Sequence, residues 1–554
     1  MRCGLPPTII HQPTNRVPND RPFYIYDNWS AYDELSDTVL LTEVLAMRQF
    51  DEVCRLRRNG VQIDAYLMDA FWYAPDGGYK AWRKDRWPNG PDDWLEACAT
   101  EGILPGLWFT ANTAFHLEPP AEWRDSLAAD GWGFSCTVGG FLKGFIEVLE
   151  HWYSRGVRVF KFDFADFAAQ AADSINLDPE KVRSQNVDAF QYEMLFFRGR
   201  HPDIVLLAYN GFEHKEYMPW TDRPVRPVLE RKWLSSFDTV YSGDPRPADV
   251  PLPNFWRTLD VYADAMVHLL HRGSGLKLAN IDNCAFMIGQ CGTCYRRGAA
   301  EWKTTALLSY ARAGSVHVVM GNLEALSDED ARWLAKIQAF YDAAGKATWV
   351  GGNPGQGELY AYAAGAVVTA VNPGLEPKRL VVGRAHRVIY TDGAAEYDGE
   401  SLTLGPGTVA VLGRGIVGEQ SLGDPPKSPA PGARLEATWQ PGEGRVEGEV
   451  AVRTGADLHL VFQQRDADGL AVRTSGGSPP DGKSSAQLLR IKACQGSRQL
   501  EVRRPDDKAV WSGMSWAYGI VPASELTSAE PVSATFETDE ARAVRIEAAA
   551  YAGE

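Results

Sequence analysis

The chain has 554 residues, too many for one hydrophobic core, so two or three domains are expected. Its formal net charge of −16 disfavours nucleic acids and anionic membrane surfaces as partners and suits a neutral substrate. No apolar run reaches the roughly 18 residues of a membrane span, and the N-terminus lacks a signal-peptide core. We therefore expect a cytoplasmic protein, or a secreted one if a signal has been removed. A homo-oligomer is compatible with these totals.

From residue 22 to about 345, short apolar runs alternate with longer stretches that carry apolar residues at helical spacing. The runs are Phe23–Asp27, Ala65–Asp69, Ile103–Phe109, Val157–Phe164, Ile204–Tyr209, Phe237–Tyr241, Leu276–Ile281 and Ser315–Met320. The helical stretches include Thr38–Arg58, Phe141–Ser154, Asn186–Arg198, Trp256–His271 and Glu301–Ala313. Eight such alternations of buried strand and helix predict an α/β fold, a (β/α)8 TIM barrel. A doubly wound sheet is the alternative.

After Ala344 the pattern changes to short strands separated by Gly and Pro, which predicts antiparallel β-domains. The first set of runs is Leu359–Tyr362, Ala366–Val371, Arg379–Val382, Val388–Tyr390 and Val409–Leu412. A Pro-, Gly- and Ser-rich segment then predicts a linker, and runs such as Leu458–Phe462 and Ala543–Ala548 predict a second sandwich. The predicted organisation is an N-terminal extension (1–21), the barrel (22–347), a β-sandwich domain (348–416), the linker (417–434) and a second β-rich domain (435–554).

The active site of such a barrel lies at the C-terminal ends of its strands. Those ends carry Asp27 and Trp29, Asp69 and Trp72, Trp108 and Thr110, Lys161 and Asp163, Asn210, Ser242 and Asp244, Asp282 and Asn283, and Asn322. Carboxylates and amides bind sugar hydroxyls, and indole faces stack on the C–H faces of sugar rings. We therefore predict an oligosaccharide or glycoside substrate that is bound by Asp27, Asp69, Asn210 and Asp282, with walls from Trp29, Trp72 and Trp108.

The fourth run contains the clearest pair, Lys161 and Asp163. The two-residue period of a strand places both side chains on one face, towards the barrel mouth. A nearby lysine favours the ionised form of the carboxyl group. An ionised, positioned carboxylate is the nucleophile that a retaining glycosidase needs at the anomeric carbon. A purely structural Lys–Asp pair is the alternative.

A retaining mechanism also needs a second carboxyl group, placed about 5–5.5 Å from the first. Asp244 follows the sixth run, and a raised pKa there would suit the general acid. Alternatively, Asp244 caps a turn before Pro245. Asp166, three residues after Asp163, competes for either role from a loop, whereas Asp238 lies too early, inside the strand.

No metal or cofactor is predicted. Acidic strand ends could hold Mg²⁺ or Zn²⁺, but HxH and HExxH patterns are absent and no histidine falls at a strand end. Cys291 and Cys294, with Cys284 nearby, could bind a metal or form a local bridge. A metal site would require a fourth ligand at a readable spacing, and the sequence shows none.

Four ordered segments carry a family resemblance: residues 66–72 (YLMDAFW), 85–90 (DRWPNG), 102–109 (GILPGLWF) and 161–163 (KFD). Together they look like the α-galactosidase and raffinose-synthase superfamily of retaining α-glycosidases, over about residues 22–345 and the following β-domain. Residues 314–329 resemble the eighth strand and closing helix of that superfamily. The resemblance implies that Asp163 is the nucleophile, that Lys161 contacts substrate hydroxyls, and that Asp244 is the acid/base.

The sequence departs from the family pattern at three strands. The second ends in Asp69-Ala70 where galactose-binding members have two aspartates, so one hydroxyl contact is missing. Val240 stands where many members carry an arginine, and the fifth strand ends in Asn210-Gly211. We therefore predict a retaining α-glycoside hydrolase, α-galactosidase-like, that acts on a terminal α-linked sugar by double displacement. The alternatives are a transglycosylase of the raffinose-synthase type and a non-catalytic carbohydrate-binding barrel.

Overall fold

The computed structural model describes residues 21–32, 39–172, 174–212, 231–241, 264, 267–282, 286–288, 302–424, 433–469, 489–504, 516–539 and 543–553. Its first part is a parallel, nearly closed β-barrel, as the sequence predicts. The strands are β1 (Phe23–Asp27), β2 (Ala65–Met68), β3 (Leu104–Thr110), β4 (Val159–Asp163), β5 (Val205–Ala208), β6 (Thr239–Tyr241), β7 (Ile281–Asp282), β8 (Phe286–Ile288) and β9 (Val316–Gly321). They are buried almost throughout, which explains their continuous apolar runs.

Two short strands, β7 and β8, lie at the two ends of the pairing order. The order of pairing is β7-β6-β5-β4-β3-β2-β1-β9-β8, so β7 lies against β6 and β8 lies against β9. The predicted seventh run, Leu276–Ile281, is therefore wrong in its bounds. Leu278–Asn280 forms a 3-10 turn, and the strand begins only at Ile281.

Six α-helices of the described residues surround the barrel. They are α1 (Glu43–Arg58), α2 (Asp92–Glu101), α3 (Phe141–Ser154), α4 (Pro179–Arg200), α5 (Trp302–Ala311) and α6 (Asp328–Ala344). The helix predicted from Thr38 begins later because Thr42 is its N-cap and accepts a hydrogen bond from the Leu45 backbone N–H. Most of the predicted stretch Trp256–His271 lies outside the described residues. No helix in the described part of the chain is both long and apolar enough to cross a membrane.

Antiparallel sheets follow the barrel, as predicted. The first group comprises β10 (Thr348–Gly351), β11 (Tyr360–Ala364), β12 (Val367–Asn372), β13 (Lys378–Val381), β14 (His386–Thr391), β15 (Ala395–Tyr397), β16 (Ser401–Leu404) and β17 (Thr408–Arg414). It forms a five-stranded sheet, β10-β11-β12-β17-β14, and a three-stranded sheet, β13-β16-β15. Leu422, in the segment predicted as a linker, is buried, and its carbonyl accepts a hydrogen bond from the Trp333 indole N–H of α6 at 2.6 Å.

The last group of strands forms two further sheets around a second core. It comprises β18 (Ala437–Gly442), β19 (Arg445–Val450), β20 (Leu458–Arg465), β21 (Leu489–Gln495), β22 (Arg498–Gln499), β23 (Trp516–Val521), β24 (Val532–Thr538) and β25 (Arg545–Ala552). The sheets are β18-β19-β24-β21-β22 and β23-β20-β25. Buried Arg465 of β20 joins this unit to the preceding one by donating a hydrogen bond of 2.9 Å to the Gly355 carbonyl.

Candidate active site

Lys161 lies at the centre of the barrel mouth between two carboxylates from neighbouring strand ends. Its ammonium nitrogen is 2.9 Å from Asp27 Oδ2 and 2.7 Å from Asp69 Oδ2, and all three side chains are buried. Asp27 ends β1, and Asp69 directly follows β2. Each carboxylate is oriented by a second contact, because the Trp29 N–H donates to Asp27 Oδ1 and the Ala70 N–H donates to Asp69 Oδ1. The sequence-predicted residues of three strands thus meet at one point.

Asp163 is the last residue of β4 and lies two residues beyond Lys161 on the same face. Its Oδ1 accepts three hydrogen bonds, from the Phe164 N–H at 2.9 Å, the Asn210 N–H at 3.1 Å and the Asn210 side-chain amide at 2.9 Å. Its Oδ2 accepts one longer bond of 3.2 Å from the Trp108 indole N–H. The carboxylate is therefore held in one orientation, with Oδ2 the less engaged oxygen.

Burial raises the pKa of Asp163 to about 6, while the charge of Lys161 and the bonds from Phe164 and Asn210 act to lower it. Lys161 thus favours the ionised form, as expected, but burial has the larger effect on the pKa. The positive charge of Lys161 is shared with Asp27 and Asp69, which limits its effect on Asp163. Burial, and next the charge of Asp69, raises the pKa of Asp27 well above its usual range.

The cluster of Lys161, Asp27 and Asp69 forms the floor of the barrel mouth. Tyr209 connects this floor to a further carboxyl group, that of Asp282. Its ring centroid lies 4.3 Å from the Lys161 nitrogen, and its hydroxyl donates a hydrogen bond of 2.8 Å to Asp282 Oδ2. The ring also stacks on Tyr241 at 4.4 Å. Asp282 therefore belongs to the same buried network, as a partner of Tyr209. Sequence reasoning missed Tyr209, although its position directly before Asn210 at a strand end was a usable signal.

The three predicted wall tryptophans have different positions. Trp108 lies beside Asp163, and Trp29 is half-buried beyond β1. Trp72 is fully buried and donates its indole N–H to the Trp108 carbonyl at 2.9 Å. Five aromatic rings surround Trp72: Tyr73, Tyr79, Trp82, Phe109 and Trp152. We therefore correct its assignment from pocket wall to core, because a ring enclosed on all sides has no face left for a sugar.

Backbone strain is concentrated at this end of the barrel. Seven non-glycine residues of the described chain have a positive φ, and five of them lie in the loops after β1 to β4. These are Ser30, Phe71, Tyr79, His116 and Phe164. Left-handed backbone costs such residues about 1–3 kcal/mol each and persists where the surroundings enforce it, commonly at functional sites. At Phe164 the turn aims the backbone N–H at Asp163 Oδ1.

The other predicted carboxylates lie in a loop, at the start of a strand or beyond the described residues. Asp244, the predicted acid/base, falls outside the described residues, as do Asn283 and the cysteine cluster Cys284, Cys291 and Cys294. Asp166 lies in the loop after β4, where its Oδ1 accepts the Ala168 N–H at 3.1 Å. Asp238 precedes β6 and forms a buried ion pair with Arg198. Within the described ranges, no group of three or more His, Cys, Asp or Glu side chains is arranged to hold a metal ion.

No protein-family model and no curated protein matches the chain. Solved structures of similar fold include the GH36 alpha-galactosidase AgaA of Geobacillus stearothermophilus, 12% identical with a TM-score of 0.47 over 71% of this chain and 56% of that one. An alpha-galactosidase of Lactobacillus brevis is 10% identical with a TM-score of 0.48 over 72% and 55%. A putative alpha-galactosidase of Bacteroides fragilis is 13% identical with a TM-score of 0.45 over 72% and 80%.

The chain spans little more than half the length of the first two neighbours, 56% and 55%. All three bear the name of the superfamily that the sequence motifs resemble. At these identities the likeness concerns the fold alone. Any proposal about the chemistry of the mouth therefore has to come from the contacts of this chain's own residues.

Proposed function

We propose that the chain is a retaining α-glycoside hydrolase, α-galactosidase-like, in which Asp163 attacks the anomeric carbon of a terminal α-linked sugar. The observation that carries the proposal is the fixed, buried carboxylate of Asp163 beside a floor of hydroxyl-binding groups. Lys161, Asp27 and Asp69 supply one ammonium group and two carboxylates within a single hydrogen-bonded cluster. Such a cluster suits vicinal sugar hydroxyls, each of which donates one hydrogen bond and accepts others.

The unequal hydrogen bonding of Asp163 suggests which of its oxygens reacts. Oδ1 accepts three N–H donors, whereas Oδ2 accepts only the longer bond from Trp108. Lone pairs on Oδ2 are therefore more available for attack. In the glycosyl ester that forms, Oδ1 becomes the carbonyl oxygen and keeps its three donors. These donors would also stabilise the departing carboxylate when water later cleaves the ester.

The second carboxyl group in this proposal is Asp244, which would give a proton to the leaving oxygen and then take one from the attacking water. Asn210 has two roles. Its amide N–H groups hold Asp163, and its buried Oδ1 has no hydrogen-bond partner among the described residues. A buried amide oxygen without a partner is unfavourable, so a substrate hydroxyl that donates to it would be bound tightly.

The test is a panel of aryl α-glycosides: galactoside, N-acetylgalactosaminide, glucoside and fucoside. Wild type should cleave one of them with retention, as proton NMR of the first-formed anomer would show. Asp163→Asn should lose at least about a thousandfold in kcat/KM, because the amide cannot form the ester. Asp166→Asn is the matched control, because it removes a carboxylate only three residues along the chain and shows whether the loss in kcat/KM is specific to Asp163.

Two results would overturn this assignment. If Asp166→Asn is inert while Asp163→Asn remains active, the nucleophile is misassigned. If wild type binds sugars but cleaves none of the panel, the barrel is a binding scaffold and the hydrolase proposal fails. Acceptor sugars added to the same assay distinguish the two reactions, because hydrolysis releases the free sugar whereas transfer yields a new glycoside of the acceptor.

A further inference from the structure

The turn directly after Asp163 is held from two sides. Phe164 has a left-handed backbone, with a φ of 46°, and this conformation aims its N–H at Asp163 Oδ1. A left-handed backbone at a residue other than glycine persists only where the surrounding contacts enforce it. The contacts of the next two residues, Ala165 and Asp166, therefore decide whether Asp163 keeps this donor.

Asn112, in the loop after β3, holds one side of this turn. Its Oδ1 accepts the Asp166 N–H at 2.7 Å, and its Nδ2 donates to the Asp166 carbonyl at 2.8 Å. The same Nδ2 donates to the Phe134 carbonyl at 2.8 Å, and the Asn112 carbonyl accepts the Phe134 N–H at 2.7 Å. Asn112 is fully buried, so these bonds are made away from water. One side chain thus binds both backbone groups of Asp166.

An amide is the side-chain group that meets the requirement at position 112. The side chain has to accept one N–H and donate to two carbonyls, and an amide has an acceptor oxygen and two N–H donors. A carboxylate could accept the N–H, but it would face two carbonyl oxygens without a donor. An apolar side chain would leave buried backbone groups unpaired, which is costly. The chemistry of Asn112 therefore suits a role in fixing the backbone of Asp166.

The opposite side of the turn lies against the loop after β5. The Ala165 N–H donates to the Asn210 carbonyl at 2.9 Å. A Cβ at Gly211 would overlap the Ala165 carbonyl oxygen, so this close approach requires a glycine. Asn210 in turn gives Asp163 Oδ1 its other two donors, the backbone N–H and the side-chain amide. All three donors on Oδ1 are thus linked to the position of this turn.

We propose that Asn112 is a positioning residue of the hydrolase, which fixes the Phe164 turn so that Asp163 presents Oδ2 to the anomeric carbon. The idea rests on the proposed function, since it gives Asn112 a role that acts through the nucleophile. Its side chain binds the backbone of Asp166 and Phe134, so its effect on Asp163 is indirect. Without these bonds, Phe164 would relax to a negative φ, which its side chain prefers, and its N–H would turn away from Oδ1.

Asn186 of α4 offers a matched control, because it makes the same kind of bridge further along the chain from the nucleophile. It is equally buried, and its amide accepts the Cys136 N–H at 2.8 Å and donates to the carbonyls of Phe167 and Ala169. Asn112→Ala and Asn186→Ala should therefore lower the midpoint of chemical denaturation by similar amounts, since each variant loses three buried hydrogen bonds. A purely structural role would make the two variants alike in activity as well.

The positioning role predicts that the two variants differ in the reaction. On the aryl glycoside that wild type cleaves, Asn112→Ala should lose about a hundredfold in kcat/KM, whereas Asn186→Ala should stay within about threefold of wild type. The acid limb of the kcat/KM profile should move to higher pH by about 0.5 unit in Asn112→Ala only, because Asp163 loses a donor to its ionised form. Gly211→Ala displaces Ala165 from the opposite side and should move the limb in the same direction, so the prediction can still be checked if Asn112→Ala fails to fold.

Equal losses of kcat/KM in Asn112→Ala and Asn186→Ala, with no shift of the acid limb in Asn112→Ala or Gly211→Ala, would overturn the positioning role. Crystal structures give a readout that does not need activity: Phe164 should have a negative φ in Asn112→Ala and keep its positive φ in Asn186→Ala. If glycosides are cleaved but the Phe164 turn is unchanged in Asn112→Ala, only the positioning role is wrong. If the turn relaxes as expected but wild type cleaves no glycoside, the hydrolase proposal fails while Asn112 still holds the turn.

Discussion

The two ends of the barrel both bury charged side chains, but they balance the charges differently. Near the N-terminal ends of β5 and β6, Asp238 forms a buried ion pair with Arg198 and also accepts the Leu206 N–H at 2.8 Å. One cation meets one carboxylate there. At the mouth, Lys161 contacts both Asp27 and Asp69.

Among the described residues, the mouth therefore buries more carboxyl groups than cations. Asp163 and Asp282 add two more buried carboxyl groups to the one lysine, and burial raises the pKa of Asp163 to about 6. A buried charge without a partner is costly, whereas a buried pair of opposite charges is better tolerated. In this comparison a one-to-one ion pair lies at the structural end of the barrel, whereas carboxyl groups outnumber cations among the described residues at the end where a substrate is expected.

The largest effect expected from this comparison is on stability at the balanced end. Arg198→Met leaves Asp238 buried without its cation, which should lower the free energy of unfolding by about 3–5 kcal/mol in chemical denaturation. Arg200→Met, two residues along the same helix, is the control. Its partner Glu150 is a surface residue, so the loss there should stay within about 1 kcal/mol. Equal losses of free energy of unfolding in the two variants would show that the buried ion pair stabilises the fold no more than the surface pair does.

The second effect concerns activity at the unbalanced end. Asp69→Asn keeps an oxygen for the Ala70 N–H but removes one of the two carboxyl groups that accept hydrogen bonds from Lys161. We expect kcat/KM on the cleaved glycoside to fall about a hundredfold, with the free energy of unfolding within about 1 kcal/mol of wild type. Unchanged turnover together with a large loss of stability would instead make the Lys161 cluster structural.

The smallest effect is a gain in stability. Burial raises the pKa of Asp163 from 3.8 to about 6, so the folded state binds the proton more tightly than the unfolded state. Stability is therefore lost as the pH rises through this range, by about 1.4 kcal/mol per unit of pKa shift. Asp163→Asn removes this penalty but loses an acceptor for a donor such as the Trp108 N–H.

The net gain for Asp163→Asn should be about 1–2 kcal/mol at pH 8, and it should disappear at about pH 3 or below, where the carboxyl group of wild type is mostly protonated in both the folded and the unfolded state. Denaturation of wild type and variant at the two pH values measures it. A variant that is less stable than wild type at pH 8 would show that the carboxylate is favourably solvated in the fold. The same ionisation predicts that kcat/KM falls about tenfold per pH unit below pH 6, since only the ionised carboxylate attacks.

Much of the barrel could be predicted because buried parallel strands correspond to continuous apolar runs in the sequence. The first strand has the predicted bounds, Phe23–Asp27, and Lys161 and Asp163 share a face, as a two-residue period requires. The seventh strand could not be predicted in this way. Among the described residues, only Ile281 and Asp282 pair with β6, and the predicted run Leu276–Ile281 overlaps this pairing at Ile281 alone because Leu278–Asn280 forms a 3-10 turn.

The sequence by itself determined the strand–helix alternation, the antiparallel sheets behind it and the residue types at the barrel mouth, because these follow from local periodicity. Only the tertiary structure decided what those residues contact. It placed Trp72 in the core but Trp108 against Asp163, and it gave the charge of Lys161 to Asp27 and Asp69 from two distant strands. Solvation and charge balance depend on which strand ends meet in space, and that is set by barrel closure rather than by spacing along the chain.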